Sequence, residues 1–76
     1  MALKRALHPM PEFVWQALVE ANLVDKYQGR PPYQQNDYVG WIVRGKREET
    51  RQKRLQQMLS ELAAGEKYMG MEYHAR

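Results

Sequence analysis

Trp41-Ile42-Val43-Arg44-Gly45-Lys46-Arg47-Glu48-Glu49-Thr50-Arg51-Gln52-Lys53-Arg54-Leu55 is the stretch that decides the architecture. It begins on an apolar helix end, turns at Gly45 and enters a long amphipathic segment. From Leu55 onward, Met58, Leu59 and Leu62 recur at spacings of three and four, which places them on one helical face. The period predicts a helix over about Arg47 to Ala64, stopped by Gly65. Glu48 to Gln52 and Glu49 to Lys53 are spaced for side-chain support along its exposed turns.

Upstream, Tyr38, Val39 and Ile42 give a core face to a helix from about Gln34 to Arg44, with Trp41 three residues after Tyr38. Gly40 inside it costs about 1 kcal/mol relative to alanine. Close approach of another helix would explain the glycine. Before it, Arg30-Pro31-Pro32 reads as a stiff extended connector, because proline fixes its own φ and disfavours helix in the residue before it. Leu23 to Gln28 reads as a short helix stopped by Gly29.

The first helix is expected to start at Pro11, whose missing N–H has no partner at a helix start, with Glu12 complementing the dipole. Phe13, Val14, Ala17, Leu18 and Ala21 form its apolar stripe. Trp15 and Val19 lie toward the other side. They either widen the buried face under a terminal arm, the favoured reading, or form a symmetric contact patch. Asn22 ends this helix or caps the next. Downstream of Gly65, Tyr68, Met69, Met71 and Tyr73 either fold back on the bundle or fray, and Gly70 argues against one continuous helix.

The expectation is an all-α fold, a compact bundle of three to four short helices. A flexible arm over residues 1–9 and a tail over 68–76 flank a helical domain over 10–67. At 76 residues the chain is one domain, and a chain this short buries only about 60% of its surface. Without cysteine, disulfides, thiolate metal sites and a cysteine nucleophile are excluded. His8 and His74 stand near opposite ends with no ligand cluster, so no metal and no cofactor is expected. Lys4 and Arg5 resemble a signal-peptide start, but Pro9 and Pro11 interrupt the apolar run that should follow. No stretch approaches the roughly 20 apolar residues of a membrane span. The expected location is therefore cytoplasmic.

A net charge of +3 is mild; what stands out is where it sits. Half of the basic residues fall between Arg44 and Arg54. At 100° per residue, Arg47, Arg51 and Arg54 share a narrow arc, and Arg51 projects toward the side of Met58 and Leu62. One reading is structural: the stem of Arg51 covers apolar surface while its guanidinium reaches helix carbonyls or a carboxylate such as Asp37, Asp25 or Glu12. The other is an anion or partner site of Arg44, Lys46, Arg47, Arg51 and Arg54, with Trp41 beside it to stack on a base or to bury in the core. Glu48 and Glu49 weaken the field of that site. No phosphate loop, glycine-rich turn or catalytic triad is recognisable.

The order Tyr38, Trp41-Ile42, Lys46, Glu49-Thr50-Arg51, Arg54, Leu59, Leu62 and Ala63-Ala64-Gly65 resembles the YdeI/OmdA family. Its name refers to bacteriocin protection and to association with the outer-membrane protein OmpD. Pro11, Leu18, Ala21 and Asn22 resemble the start of the same small helical domain, so the likeness covers about Met10 to Lys67. The chain departs from the pattern after Trp41-Ile42, where Val43-Arg44-Gly45 makes the junction more basic and more flexible. The resemblance implies a bacterial helical domain, a loose link to bacteriocin or cationic-peptide resistance, and no catalytic residues. Together these readings point to a non-enzymatic helical interaction module with an unknown protein partner and an open oligomeric state. The alternative is a nucleic-acid-binding protein that uses the basic face.

Overall fold

The computed structural model describes residues 8–65 and 67–72. Four helices follow in order: α1 (Glu12–Glu20), α2 (Val24–Gln28), α3 (Pro32–Val43) and α4 (Glu48–Ala64). Two short strands, β1 (Lys67–Tyr68) and β2 (Met71–Glu72), then form an antiparallel hairpin. The expected helical bundle is present, and the hairpin is an addition to it.

Each helix starts and stops for a local reason. Pro11 is extended and its carbonyl accepts the Trp15 N–H at 3.0 Å, so α1 begins one residue after the proline. At the other end Asn22 takes φ 59°, the left-handed conformation that asparagine tolerates better than most residues. The Asn22 and Leu23 N–H groups return to the Val19 and Leu18 carbonyls at 3.0 and 2.9 Å, a Schellman closure. Asn22 thus ends α1 rather than capping α2.

The third helix starts two residues earlier than its apolar period suggests. Pro31 is extended and Pro32 is the first helical residue, where its fixed φ suits the helix and its missing donor costs nothing. Only Arg30 and Pro31 remain as connector. Gly65, at φ 84°, closes α4 with its N–H on the Glu61 carbonyl at 2.8 Å.

Val14 and Leu18 of α1, Tyr27 of α2, Tyr38, Val39 and Ile42 of α3, and Leu55, Met58 and Leu62 of α4 form one core. Burying side chains of this size contributes about 1.5–3 kcal/mol each. The stripe of α1 is narrower than its sequence suggests, because Phe13 and Ala21 are exposed and only Val14 and Leu18 are fully buried. Trp15 and Val19, expected to be covered internally, are 39% and 53% exposed. A nine-residue helix touches the bundle along one arc, and their side lies beyond it.

Gly40 is explained by a different neighbour than the expected helix. A Cβ there would come within 2.6 Å of the His8 ring. The His8 N–H also donates to the Asn36 side chain at 2.8 Å, so the last residues of the expected arm pack on α3. Residues 1–7 lie outside the described residues.

Downstream, the packed structure extends past residue 67. Tyr68 and Met69 pack against the core, and Tyr68 stacks edge-on against Tyr38, with 5.4 Å between ring centroids. The hairpin turn at Met69-Gly70 has φ of 50° and 86°, both positive, as a type I′ turn requires. A methionine there is strained unless something holds it. The Glu61 carboxylate does so, accepting the Met69 N–H at 2.6 Å and the Gly70 N–H at 2.7 Å.

Glu61 is buried and also accepts from Tyr38 Oη at 2.5 Å and Gln57 Nε2 at 3.0 Å. Burial alone would raise its pKa. The donors from Tyr38, Gln57, Gly70 and Met69 outweigh burial and hold the carboxyl below its ordinary 4.5. Beside it the buried Arg30 guanidinium donates to the Lys67 carbonyl at 2.7 Å, to the Glu61 carbonyl at 3.3 Å and to Gln34 Oε1 at 3.0 Å. Among the described residues no buried side-chain nitrogen or oxygen lacks a partner.

Glu61→Gln leaves one carbonyl oxygen for two turn N–H groups and is expected to cost about 2–3 kcal/mol. Because the folded pKa lies below the unfolded one, the carboxylate's contribution is complete above pH 4.5 and is lost as the pH falls through the folded value. Denaturant unfolding of both proteins from pH 7 to pH 3 checks this: the gap between them should close toward the acid end.

Candidate partner-binding surface

The basic residues singled out in the sequence gather where α3 gives way to α4, but they divide into two kinds. Arg44 is the C-cap of α3 and is exposed. Lys46 and Arg47 follow, also exposed, and Arg47 is the extended N-cap of α4. Between them Gly45 is buried. A Cβ on it would sit 3.0 Å from Arg51 Cγ and 3.1 Å from Thr50 Cγ2, a close fit that a larger residue would have to push apart. The junction, read from sequence as flexible, is packed against the first turn of α4.

Arg51 and Arg54 hold this junction in place. Arg51 Nη1 donates to the Gly45 carbonyl at 2.8 Å, and Nη2 pairs with Glu48 at 3.2 Å. None of the distant carboxylates considered for it, Asp37, Asp25 or Glu12, is its partner. The side chain is 32% exposed, so its local carbonyl and the neighbouring turn satisfy it at the rim of the core. Glu48 is held below its ordinary 4.5 by the hydrogen bonds from Gln52 and Arg51.

Arg54 Nη1 donates to the Trp41 carbonyl at 2.7 Å, and its guanidinium carbon lies 5.4 Å from the centre of the Trp41 ring. A cation at this distance over an indole face is attracted by the ring quadrupole. Trp41 itself is half-buried and packs against the core, which leaves part of the ring on the surface. The result is a corner with an exposed cationic edge of Arg44, Lys46 and Arg47. Behind that edge stand Arg51 and Arg54, each with one Nη on a backbone carbonyl.

The sequence reading missed the buried pair of ionisable side chains, Arg30 and Glu61. Two signals were present. Glu61 follows Met58 by three residues and adjoins Leu62, so it falls on the edge of the apolar stripe. Arg30 follows Gly29 at the end of α2, a place where the last helix carbonyls lack partners and a cation is favoured. Tyr68 belongs to the same network. Its hydroxyl donates to Asp37 at 2.7 Å, and burial, then this hydrogen bond, raise its pKa well above 10.0.

The four helices span the part of the chain that matches a known family. The model of the family described as Bacteriocin-protection, YdeI or OmpD-Associated (OmdA) matches residues 8–65. The chain belongs to this family. The matched span opens at His8, which packs on Gly40, and closes at Gly65, which ends α4, so it includes Arg30, Glu61 and the whole basic corner. No curated protein and no solved structure matches the chain. Among the described residues no helix is long and apolar enough to cross a membrane, and no group of three or more His, Asp or Glu side chains could hold a metal ion.

The division between structural and exposed cations is measurable. Arg54→Ala removes a charge-assisted hydrogen bond and a ring contact and is expected to cost about 1.5–3 kcal/mol. Arg47→Ala touches neither and should stay within about 0.5 kcal/mol of the parent. Chemical denaturation of both variants checks the difference.

Proposed function

We propose that this OmdA-family chain is a non-enzymatic interaction module that meets an acidic protein surface through the α3–α4 corner. The observation that carries the reading is the exposure of Arg44, Lys46 and Arg47 on a junction tied down by the Arg51 and Arg54 hydrogen bonds and packed closely at Gly45. Presenting charges on a fixed backbone lowers the entropy lost on binding. The half-buried Trp41 beside them adds an apolar edge of the kind enriched at interfaces.

The buried polar side chains support the same view. Arg30, Gln34 and Glu61 are engaged with one another's elements and with the hairpin backbone, which is scaffold work. The family's description connects the domain to bacteriocin protection, and a basic docking corner is a means by which so small a chain could act there, by holding a partner.

Glu48 and Glu49 favour a protein surface, which can set basic groups of its own against them, over nucleic acid, which has none. They stand exposed in the first turn of α4, within three residues of Arg47 and Arg51, and would meet phosphates with like charge. Arg51 and Arg54, which would otherwise extend a phosphate track, each give one donor to a backbone carbonyl, that of Gly45 and that of Trp41.

Titrating the chain with poly-L-glutamate and, separately, with short DNA and RNA duplexes over a range of salt tests the reading. Poly-L-glutamate should bind and weaken several-fold in Arg44→Ala/Lys46→Ala/Arg47→Ala. Nucleic-acid binding that falls linearly in log salt and is lost in the same variant would replace it with the nucleic-acid alternative.

A further inference from the structure

The outer face of α1 has a different character from the basic corner. Trp15 and Val19 lie one helical turn apart and are 39% and 53% exposed. Glu12, Gln16 and Glu20 form a second row alongside, each four residues from the next. These five side chains line a shallow, open depression of about 420 Å³ on the outer face of α1. Within Glu12–Glu20 there are two acids and no base, in a chain whose overall charge is +3. Tryptophan is among the residues enriched at binding hot spots.

We propose that this face docks a basic amphipathic helix of a partner protein. The partner's apolar row would cover Trp15 and Val19, and its lysines or arginines, repeated every four residues, would lie along Glu12 and Glu20. This is the pairing of two amphipathic helices side by side, in which the apolar stripe gives affinity and the charges beside it fix register. Charge selects this occupant over a second copy of the chain. A two-fold antiparallel pairing of α1 with itself sets Glu12 opposite the other copy's Glu20, placing like charges across a drying interface. A basic partner neutralises the same row. The inference concerns a separate surface from the α3–α4 corner and stands whether or not that corner binds an acidic partner.

The test uses the full chain and a fluorescein-labelled synthetic peptide of leucines and lysines arranged in two rows at four-residue spacing. A peptide of identical composition in shuffled order and one with glutamate in place of lysine serve as comparisons. The lysine peptide should bind, and Trp15→Ser/Val19→Ser should weaken it about tenfold or more. Glu12→Lys/Glu20→Lys should weaken it to a similar degree, while Arg44→Ala/Arg47→Ala leaves it unchanged. All these positions are exposed, and circular dichroism confirms that each variant keeps its helices. Equal binding of the shuffled or glutamate peptide overturns the proposal, as does full-strength binding by either α1 variant. So does a wild-type dimer in sedimentation that dissociates in Trp15→Ser/Val19→Ser, because the face would then belong to a second copy.

Discussion

The Glu61 carboxylate joins three parts of the fold at one point. Tyr38 reaches it from the middle of α3, Gln57 from the preceding turn of α4, and the Met69 and Gly70 N–H groups from the hairpin turn. A buried carboxylate without such donors would be expelled or protonated, because ionised groups are costly in a low-dielectric interior. A hairpin of two-residue strands would not persist alone in water. Each makes the other tenable. The turn presents two adjacent N–H groups to an anion, and the anion is supplied from within the chain rather than from solvent. Arg30 braces the same region by its bonds to the Glu61 and Lys67 carbonyls.

That internal brace leaves the outside of the molecule with segregated charge. The mild net charge of +3 conceals an acidic α1 and a basic α3–α4 junction. Both faces carry an aromatic residue, Trp15 on the first and Trp41 on the second, and the two tryptophans serve differently. Trp41 is tied to the core and to Arg54, whereas Trp15 faces outward beside Val19. A domain this small has a high ratio of surface to core. Its surface chemistry therefore offers more room for specificity than its interior does.

Membership of the OmdA family rests on residues 8–65, and this span has a physical meaning. It is the unit that closes on itself through the helices, from the His8 contact on Gly40 to the left-handed turn at Gly65. The hairpin lies just beyond it, yet depends on Glu61 within it. The resemblance noted in the sequence, from Tyr38 and Trp41 to Gly65, covers the two helices that pack most closely together. Its residues Trp41, Arg51 and Arg54 are those that pin the junction.

The sequence by itself determined the four helices, their order and most of the core. Their signals are local: apolar residues three and four apart, Pro11 at a helix start, and Gly29, Gly65 and Asn22 at helix ends. It also located the basic junction, because Arg44 to Arg54 is contiguous. Only the tertiary structure decided which of these charges face solvent. Arg51 and Arg54 are committed to carbonyls six and thirteen residues away. No periodicity encodes those distances, which depend on how α3 and α4 meet. The same holds for Trp15 and Val19, whose exposure follows from the narrow arc that α1 presents to the bundle. Glu61 and Arg30 were hidden for a related reason. A buried ion is made tolerable by donors and acceptors that arrive from distant segments, and in sequence it looks like any surface charge.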